Sequence, residues 1–564
     1  MFRENMRYQQ VSLFGTLYQL PTGVKKILDK SWAPAFRKLI FEKIDEKRYA
    51  GLYSEVASRP NFAVNVWVGL EVVKGLFDYT DEELLEQFHF NLLIAYALGQ
   101  DGLGELTLCI RTVYYNRKRL LEYETGTGCN LLEEEFKGIT DDALKQLGVD
   151  TGARRMDSSF VGSFIKQMSR LEFLVKVLQN FYRDLPDEEK ERWESLLAEY
   201  IEEEAEHISF RLRRSEVEEH LKRVGDLLFQ LHEAYAESDK TNGLKSYQHV
   251  GRVLSEQFNV VRGKEKTTIE VKLAKEISAS SLQNPADGEA TFRRKAEEEH
   301  QGYLLNIAET CSPENPVQLL TDVAVYQNIA SDEAILAERL PALKERTGVE
   351  EMIVDAGFTG EVSEKVCEGQ GVELVLGEVK GRRVSEEKLS LRDFKFENGE
   401  LISCPVDQSP VKQIHKPEKE RHVVHFSRGQ CEGCPMMGRC PVMERRKFYS
   451  LLFTDRQALL AKRRQKLSEE EYRNRCHLRA AVEGTVSQFK QGMHNGKLRV
   501  RGYKRVRNAI ILMAIGINFG RMWAYIVEKG IAPATSLLFV TLLLAILVAS
   551  LGGRMVWNGS RTEG

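Results

Sequence analysis

The chain has no glycine-rich phosphate loop, no internal repeat and no low-complexity tract. The first absence leaves nucleotide-driven chemistry by this chain without support. The other two argue against solenoid and disordered architectures. No apolar leader stands at the N-terminus, where Arg3, Glu4 and Arg7 interrupt any apolar run, so a secretory signal is not expected. The nine cysteines are an odd number and mostly scattered, which fits reduced thiols in a cytoplasm better than a disulfide framework. A strong charge of one sign is also missing: the net charge is −3 and by itself says nothing about nucleic acid.

What is present is an ordinary globular composition, 29% charged and 42% hydrophobic over 564 residues, enough for about three to four domains at roughly 150 residues each. Charge becomes informative when resolved along the chain. From Arg439 to Arg507 there are 19 Lys or Arg against 6 Asp or Glu, whereas the stretch 187–239 is acidic. A basic segment of this kind suits a phosphate backbone. Near the C-terminus, Ile531 to Leu551 runs 21 residues without a charge, between Lys529 and Arg554. Its length qualifies it as a membrane span, and a buried or partner-covered apolar helix is the alternative.

Periodicity divides the chain. Residues 1–150 read as an all-α N-terminal domain for DNA binding or dimerisation, with a helix start at Thr80 and acids at Glu82 and Glu83. RRMDSSFVGSFI reads as a strand, and long charged helices fill 166–285. TFRRKA, GYLLNIAETC and VQLLTDVAVY read as adjacent strands. A capped helix then starts at Ser331, and EEMIVD forms the next strand. A hairpin through Asn398–Gly399 is expected after that. The expected fold is α/β: a core assembled from 151–165, 286–365 and 445–525, a helical insertion at 166–285, a β and cysteine-rich insertion at 366–444, and an apolar tail at 526–564.

Three acids stand where a metal-dependent nuclease needs them. Asp157 lies on the first strand, Asp355 closes the strand EEMIVD ahead of Ala356 and Gly357, and Glu483 lies in the amphipathic stretch CHLRAAVEGTVSQFK. Two strand aspartates and a helix glutamate can hold two divalent ions about 3.5–4 Å apart. An all-oxygen set suits Mg²⁺ or Mn²⁺. Read as one helix, Arg479, Glu483 and Lys490 share a face, with Leu478, Val482, Val486 and Phe489 as the apolar stripe beside it. Each acid alone reads equally as a turn, cap or surface residue. The run RVRGYKRVRN supplies Arg499, Arg501, Lys504 and Arg505 as backbone-contacting cations, and a solvated helix start is its plain alternative.

Cys431 and Cys434 form a C-x₂-C pair, with Cys440 beyond it and Cys404 upstream. This fits a structural zinc site, in which His415, His422 or His425 could replace a sulfur, or else a group of reduced thiols. Cys109, Cys129, Cys311 and Cys367 read as small buried apolar residues.

The pattern R-x₃-E-x₆-K at Arg479, Glu483 and Lys490, followed by GKLRVRGYKRVRNAIILMAIGINFGRM, resembles the terminal signature of bacterial insertion-sequence transposases of the DDE type. VDAGFTG is similar to the second-aspartate motif of that family and MDSSFVGS to the first. SRPNFAVNVWVGLEVVKGLFDYTDEELLEQFHFNLLIAYALG resembles the helical module that precedes its catalytic core. The family often has a tyrosine three residues before the arginine, where this chain has Cys476. The resemblance implies a ribonuclease H-like mixed sheet and cleavage and strand transfer at terminal inverted repeats. It also implies two Mg²⁺ or Mn²⁺ ions on Asp157, Asp355 and Glu483, with Arg479 and Lys490 on phosphates. Pairing two DNA ends implies a homodimer or larger assembly, in a bacterial cytoplasm at the nucleoid. A non-catalytic DNA-binding copy, or a nuclease attached to a membrane through 531–551, are the alternatives.

Overall fold

The stretch Ala153–Gly162 forms strand β1, and the chain divides within it. In the computed structural model, residues 1–9, 15–17, 19–56, 59–262, 267–295, 297–377, 387–397 and 400–531 are described. One unit comprises Met1–Asp150, Ser158–Ala330 and the chain from Gly484 onward; the other comprises Thr151–Asp157 and Ser331–Glu483.

In the first unit, the described part of 1–150 is helical throughout. The helix Val64–Phe77 is apolar on all sides and buries every residue from Val64 to Val73, as a central helix must. The next helix, Asp81–Phe90, is started by a reciprocal cap. Thr80 Oγ1 accepts the Glu83 N–H (3.1 Å), and the Glu83 carboxylate accepts the Thr80 N–H (2.7 Å). After β1, the helices Arg170–Asp184, Asp187–Ile201, Val217–Tyr235 and Lys245–Gln257 pack around their own core, which includes Leu174, Phe181, Leu228 and Val250. An antiparallel hairpin, β2 (Phe258–Arg262) and β3 (Thr267–Val271), closes that bundle and departs from the all-helical expectation for this region. Then β4 (Thr291–Lys295), β5 (Glu298–Thr310) and β6 (Leu320–Gln327) pair antiparallel about β5, which also neighbours β1.

The helix Tyr503–Glu528 belongs to this unit. Its length and apolar composition alone would suit a membrane span, but most of its apolar face is buried in the fold, from Val506 through Ile526. Asn518 caps the buried start of β6. Its Oδ1 accepts the Leu320 N–H (2.8 Å), while its Nδ2 donates to the Leu320 carbonyl (2.9 Å) and to Thr140 Oγ1 (3.2 Å). The apolar run expected to span or pack lies, beyond Ile531, outside the described residues.

The second unit is a parallel α/β layer joined to a small antiparallel sheet. The first residues of β1 pair parallel with β7 (Glu351–Val354), and β7 pairs parallel with β8 (Glu373–Leu376). Helices Asp332–Thr347 and Glu361–Gln370 make the crossovers, the first capped by Ser331 Oγ accepting the Ala334 N–H. Strands β9 (Lys395–Glu397) and β10 (Glu400–Ser403) form the expected hairpin, although its turn at 398–399 lies outside the described residues. Strands β11 (Lys412–Lys416), β12 (Arg421–Ser427), β13 (Met443–Glu444) and β14 (Phe448–Thr454) then run in the order β11-β12-β14-β13. Phe394, Leu401, Val424, Phe426, Leu451 and Phe453 form their core. The unit ends with the helices Asp455–Lys466 and Glu470–His477, a 3₁₀ turn at Leu478–Ala481 and the first residues of the helix Val482–Gln491.

Candidate nuclease site

The local sequence explains where each acid sits. Arg154, Arg155 and Met156 are buried in β1, and Arg155 Nη1 donates to the Leu478 carbonyl (2.7 Å), tying the strand to the turn that carries Arg479. Asp157 follows, with its side chain 17% exposed. Asp355 ends β7 and caps the turn Ala356–Phe358, its Oδ1 accepting the Gly357 N–H while Phe358 anchors the turn in the core. A Cβ at 357 would stand 2.7 Å from both Asp355 Oδ1 and Asp332 Oδ2, so a larger residue there would have to push these carboxylates aside.

The strands pair in constant register: Ala153 with Glu351, Arg154 with Met352, Arg155 with Ile353. Continued by two residues, this register sets Asp157 opposite Asp355, on neighbouring strands about 4.8 Å apart. Asp355 stands at the carboxyl end of β7, and Asp157 lies within β1, just past the stretch that pairs with β7.

Glu483 begins the helix Val482–Gln491 and is 72% exposed, while Val482 beside it is fully buried. Arg479 links two of the three acids: its Nη1 lies 3.5 Å from Asp157 Oδ2 and its Nη2 lies 3.8 Å from Glu483 Oε1. Asp157, Asp355 and Glu483 thus all belong to the second unit. Their oxygens do not crowd within 4.8 Å of one another as a single-ion cage would require. A two-ion site needs less, since its carboxylates are spread over ions about 3.5–4 Å apart. The all-oxygen donor set, the exposure of Glu483 and the long contacts to Arg479 fit hard divalent ions such as Mg²⁺ or Mn²⁺.

Several expectations are corrected here. Arg479 and Glu483 do not lie on one continuous helix: Arg479 sits in the 3₁₀ turn, where the Leu478 carbonyl is shared with Arg155. Arg479 faces the carboxylates instead of standing clear for a phosphate. Lys490 is exposed and belongs to the other unit, as does the basic run. Within that run, Arg499 is held by the Asp78 carbonyl (3.1 Å) and carboxylate (3.3 Å), and Lys504 by Thr125 Oγ1 (2.7 Å). Arg501 and Arg505 are exposed. Arg499, Arg501 and Arg505 line a cavity of about 550 Å³ that also includes Tyr79, Tyr114 and Phe164.

Cys476, standing where the family pattern has tyrosine, is buried and donates its thiol to the Leu376 carbonyl (3.3 Å), so it packs against the end of β8. Cys404, Cys431 and Cys440 pack against the core of the small sheet. Burial first, then the neighbouring Cys440, Cys404 and Cys434, push the Cys431 thiol up to about 11. No three of the four sulfurs lie within 4.8 Å of one another, a wider spread than the roughly 3.8 Å of a tetrahedral Zn–S₄ cage. The sequence reading missed Asp332, whose carboxylate lies beside the Asp355 turn; its place in the first turn of a helix made it look like a capping acid.

The family described as "Transposase DDE domain" matches residues 403–523. Over these residues the chain is similar to the DDE domain of transposases. The match includes Arg479 and Glu483 and ends within the helix Tyr503–Glu528; Asp157 and Asp355 lie upstream of it. Transposases act on DNA, and DDE domains work with divalent metal ions. No curated protein and no solved structure matches the chain.

Proposed function

We propose that this chain is a DNA transposase that cleaves the terminal repeats of its own insertion sequence and joins them to a target, using Asp157, Asp355 and Glu483 to hold two Mg²⁺ or Mn²⁺ ions. The parallel pairing of β1 with β7, whose register continued by two residues would bring Asp157 level with Asp355, and Arg479 between Asp157 and Glu483 support this reading. When bound, the ions supply Lewis-acid stabilisation of the attacking and leaving oxygens of an in-line phosphodiester displacement. The chain's own residues position the reaction. The aspartates mark the cleavage point, and the Gly357 turn holds the Asp355 carboxylate in place. Arg479 offsets the repulsion between Asp157 and Glu483. Lys490, Arg501 and Arg505, which are exposed, contribute phosphate contacts.

On this reading the parallel strands β1, β7 and β8 and the antiparallel strands about β5 form a ribonuclease H-like core, with 166–285 and 366–444 as insertions. Synapsis of two element ends requires at least a homodimer.

The test is cleavage of linear DNA carrying both flanks of the gene, with and without Mg²⁺, by the wild-type chain and by Asp157→Asn, Asp355→Asn and Glu483→Gln. Metal-dependent nicking at the element ends, lost by about 1000-fold or more in each variant, is the expected result. Full binding with no cleavage by the wild type would replace the proposal with a non-catalytic DNA-binding role.

A further inference from the structure

The only group of three or more His, Cys, Asp or Glu ligand atoms lying within 4.8 Å of one another among the described residues is His415, His422 and Asp455. The backbone builds this group deliberately. His415 on β11 stands directly opposite His422 on β12 in antiparallel register, so both rings leave the same face of the hairpin. The rings stack with centroids 4.2 Å apart and planes 12° from parallel, and the other face of His422 lies on Phe453 at 4.9 Å. Asp455 is the first residue of the helix Asp455–Lys466. It is fixed there by the Thr454 cap, whose Oγ1 accepts the Gln457 N–H (3.2 Å), and by its own N–H donated to the Glu420 carbonyl (3.2 Å).

All three side chains converge on one point. Asp455 Oδ1 lies 2.5 Å from His422 Nε2 and 3.2 Å from His415 Nε2. Bonds of about 2.0–2.2 Å around a tetrahedral ion separate its ligand atoms by roughly 3.4 Å, so small rotations of these rings suffice to surround one. His422 is 15% exposed and His415 44% exposed, which leaves one side open to solvent. In a plain hydrogen-bonded cluster, both imidazoles donate through Nε2 to one carboxylate, His422 to Oδ1 (2.5 Å) and His415 to Oδ2 at a long 3.4 Å. One cation instead takes both nitrogen lone pairs and the oxygen together.

We propose that His415, His422 and Asp455 form a mononuclear site for a transition-metal ion of the imidazole-preferring class, Zn²⁺ first, with solvent in the fourth position. The site is chemically distinct from the all-oxygen set of Asp157, Asp355 and Glu483, and it stands whether or not those acids cleave DNA. It pins the β11–β12 hairpin to the helix that starts the path toward Arg479 and Glu483, and so acts as a structural clip.

The test uses the full chain, stripped with chelator and kept in millimolar Mg²⁺ so that hard-ion sites are filled. Zn²⁺ binding is measured by calorimetry and Co²⁺ binding by visible absorption. The site predicts a tetrahedral Co²⁺ spectrum that survives in the chain with Cys404→Ser, Cys431→Ser, Cys434→Ser and Cys440→Ser. It also predicts that His415→Ala or His422→Ala weakens this binding by at least about 100-fold. Should the serine chain fail to fold, the wild-type chain decides the matter, because His422→Ala must then remove one equivalent of Zn²⁺ without altering the thiolate charge-transfer band of Co²⁺. Unchanged stoichiometry on His415→Ala and His422→Ala, in either chain, would overturn the site.

Discussion

In the N-terminal helices, Arg117 grips Glu71 through Nε (2.7 Å) and Nη2 (3.0 Å), and Asp81 through Nη1 (2.9 Å) and Nη2 (2.8 Å). Nearby, the Glu46 carboxylate accepts backbone N–H groups from Asn5, Val64 and Asn65. These acids are gathered, buried and saturated. Beside β1 and β7 another guanidinium meets another set of acids, but Arg479 stands 3.5 Å and 3.8 Å from its carboxylates, and Glu483 is open to water. The contrast teaches that convergence of acids does not by itself make a site. What matters is whether their lone pairs are already spent on the protein.

That contrast can be broken by mutation. Beside these strands, Asp157→Asn or Glu483→Gln should remove about 1000-fold or more of metal-dependent cleavage, while chemical unfolding moves by no more than about 0.5 kcal/mol. Arg117→Ala should do the reverse. It leaves the buried Glu71 without its partner and Asp81 with Lys74 alone, so denaturant unfolding should show a loss of about 3 kcal/mol. Equal effects on stability from both substitutions would erase the distinction.

Acidity sharpens it further. Burial raises the Glu135 carboxyl to about 7, outweighing the Asp45 N–H that it accepts at 3.2 Å. A carboxyl raised in the fold favours folding only while it is protonated. Its contribution is therefore present below about pH 4.5 and is lost as the pH climbs to about 7, by roughly 3 kcal/mol at most. The stability difference between Glu135→Gln and the wild type should accordingly swing in favour of the variant between pH 5 and pH 8, as thermal unfolding at the two values would show. A difference independent of pH would rule this out.

Smaller effects follow. Gly357→Ala pushes a methyl group against the Asp355 carboxylate and should lower cleavage by about 100-fold with the fold retained; near-normal rates would mean that the turn tolerates the shift. Arg501→Ala combined with Arg505→Ala should reduce the slope of log affinity against log salt by about 2 if both cations touch phosphate, as filter binding over a salt series would reveal. Arg499→Ala, already spent on Asp78, should change that slope less.

Much of this was legible from local chemistry. The caps at Thr80 and Ser331, the strand holding Asp157 and the turn after Asp355 all follow from residues within a few positions of one another. What escaped depends on distant partners. The break between Arg479 and Glu483 arises where Arg155, over 300 residues upstream, takes the Leu478 carbonyl. The hairpin β2–β3 alternates for only five residues on each side and is hidden between charged helices. His415, His422 and Asp455 come together only once a strand register and a helix start are both fixed. The histidines had been grouped with the cysteines by proximity in sequence, whereas His425 turned out to bond Ser450.

The discontinuity of the second unit has a consequence for biosynthesis. Asp157 leaves the ribosome 326 residues before Glu483, a delay on the order of tens of seconds at ordinary elongation rates. β7 and Asp355 emerge part-way through that interval, so the trio stays incomplete until the helix bearing Glu483 follows, and a prematurely terminated product would lack its third acid.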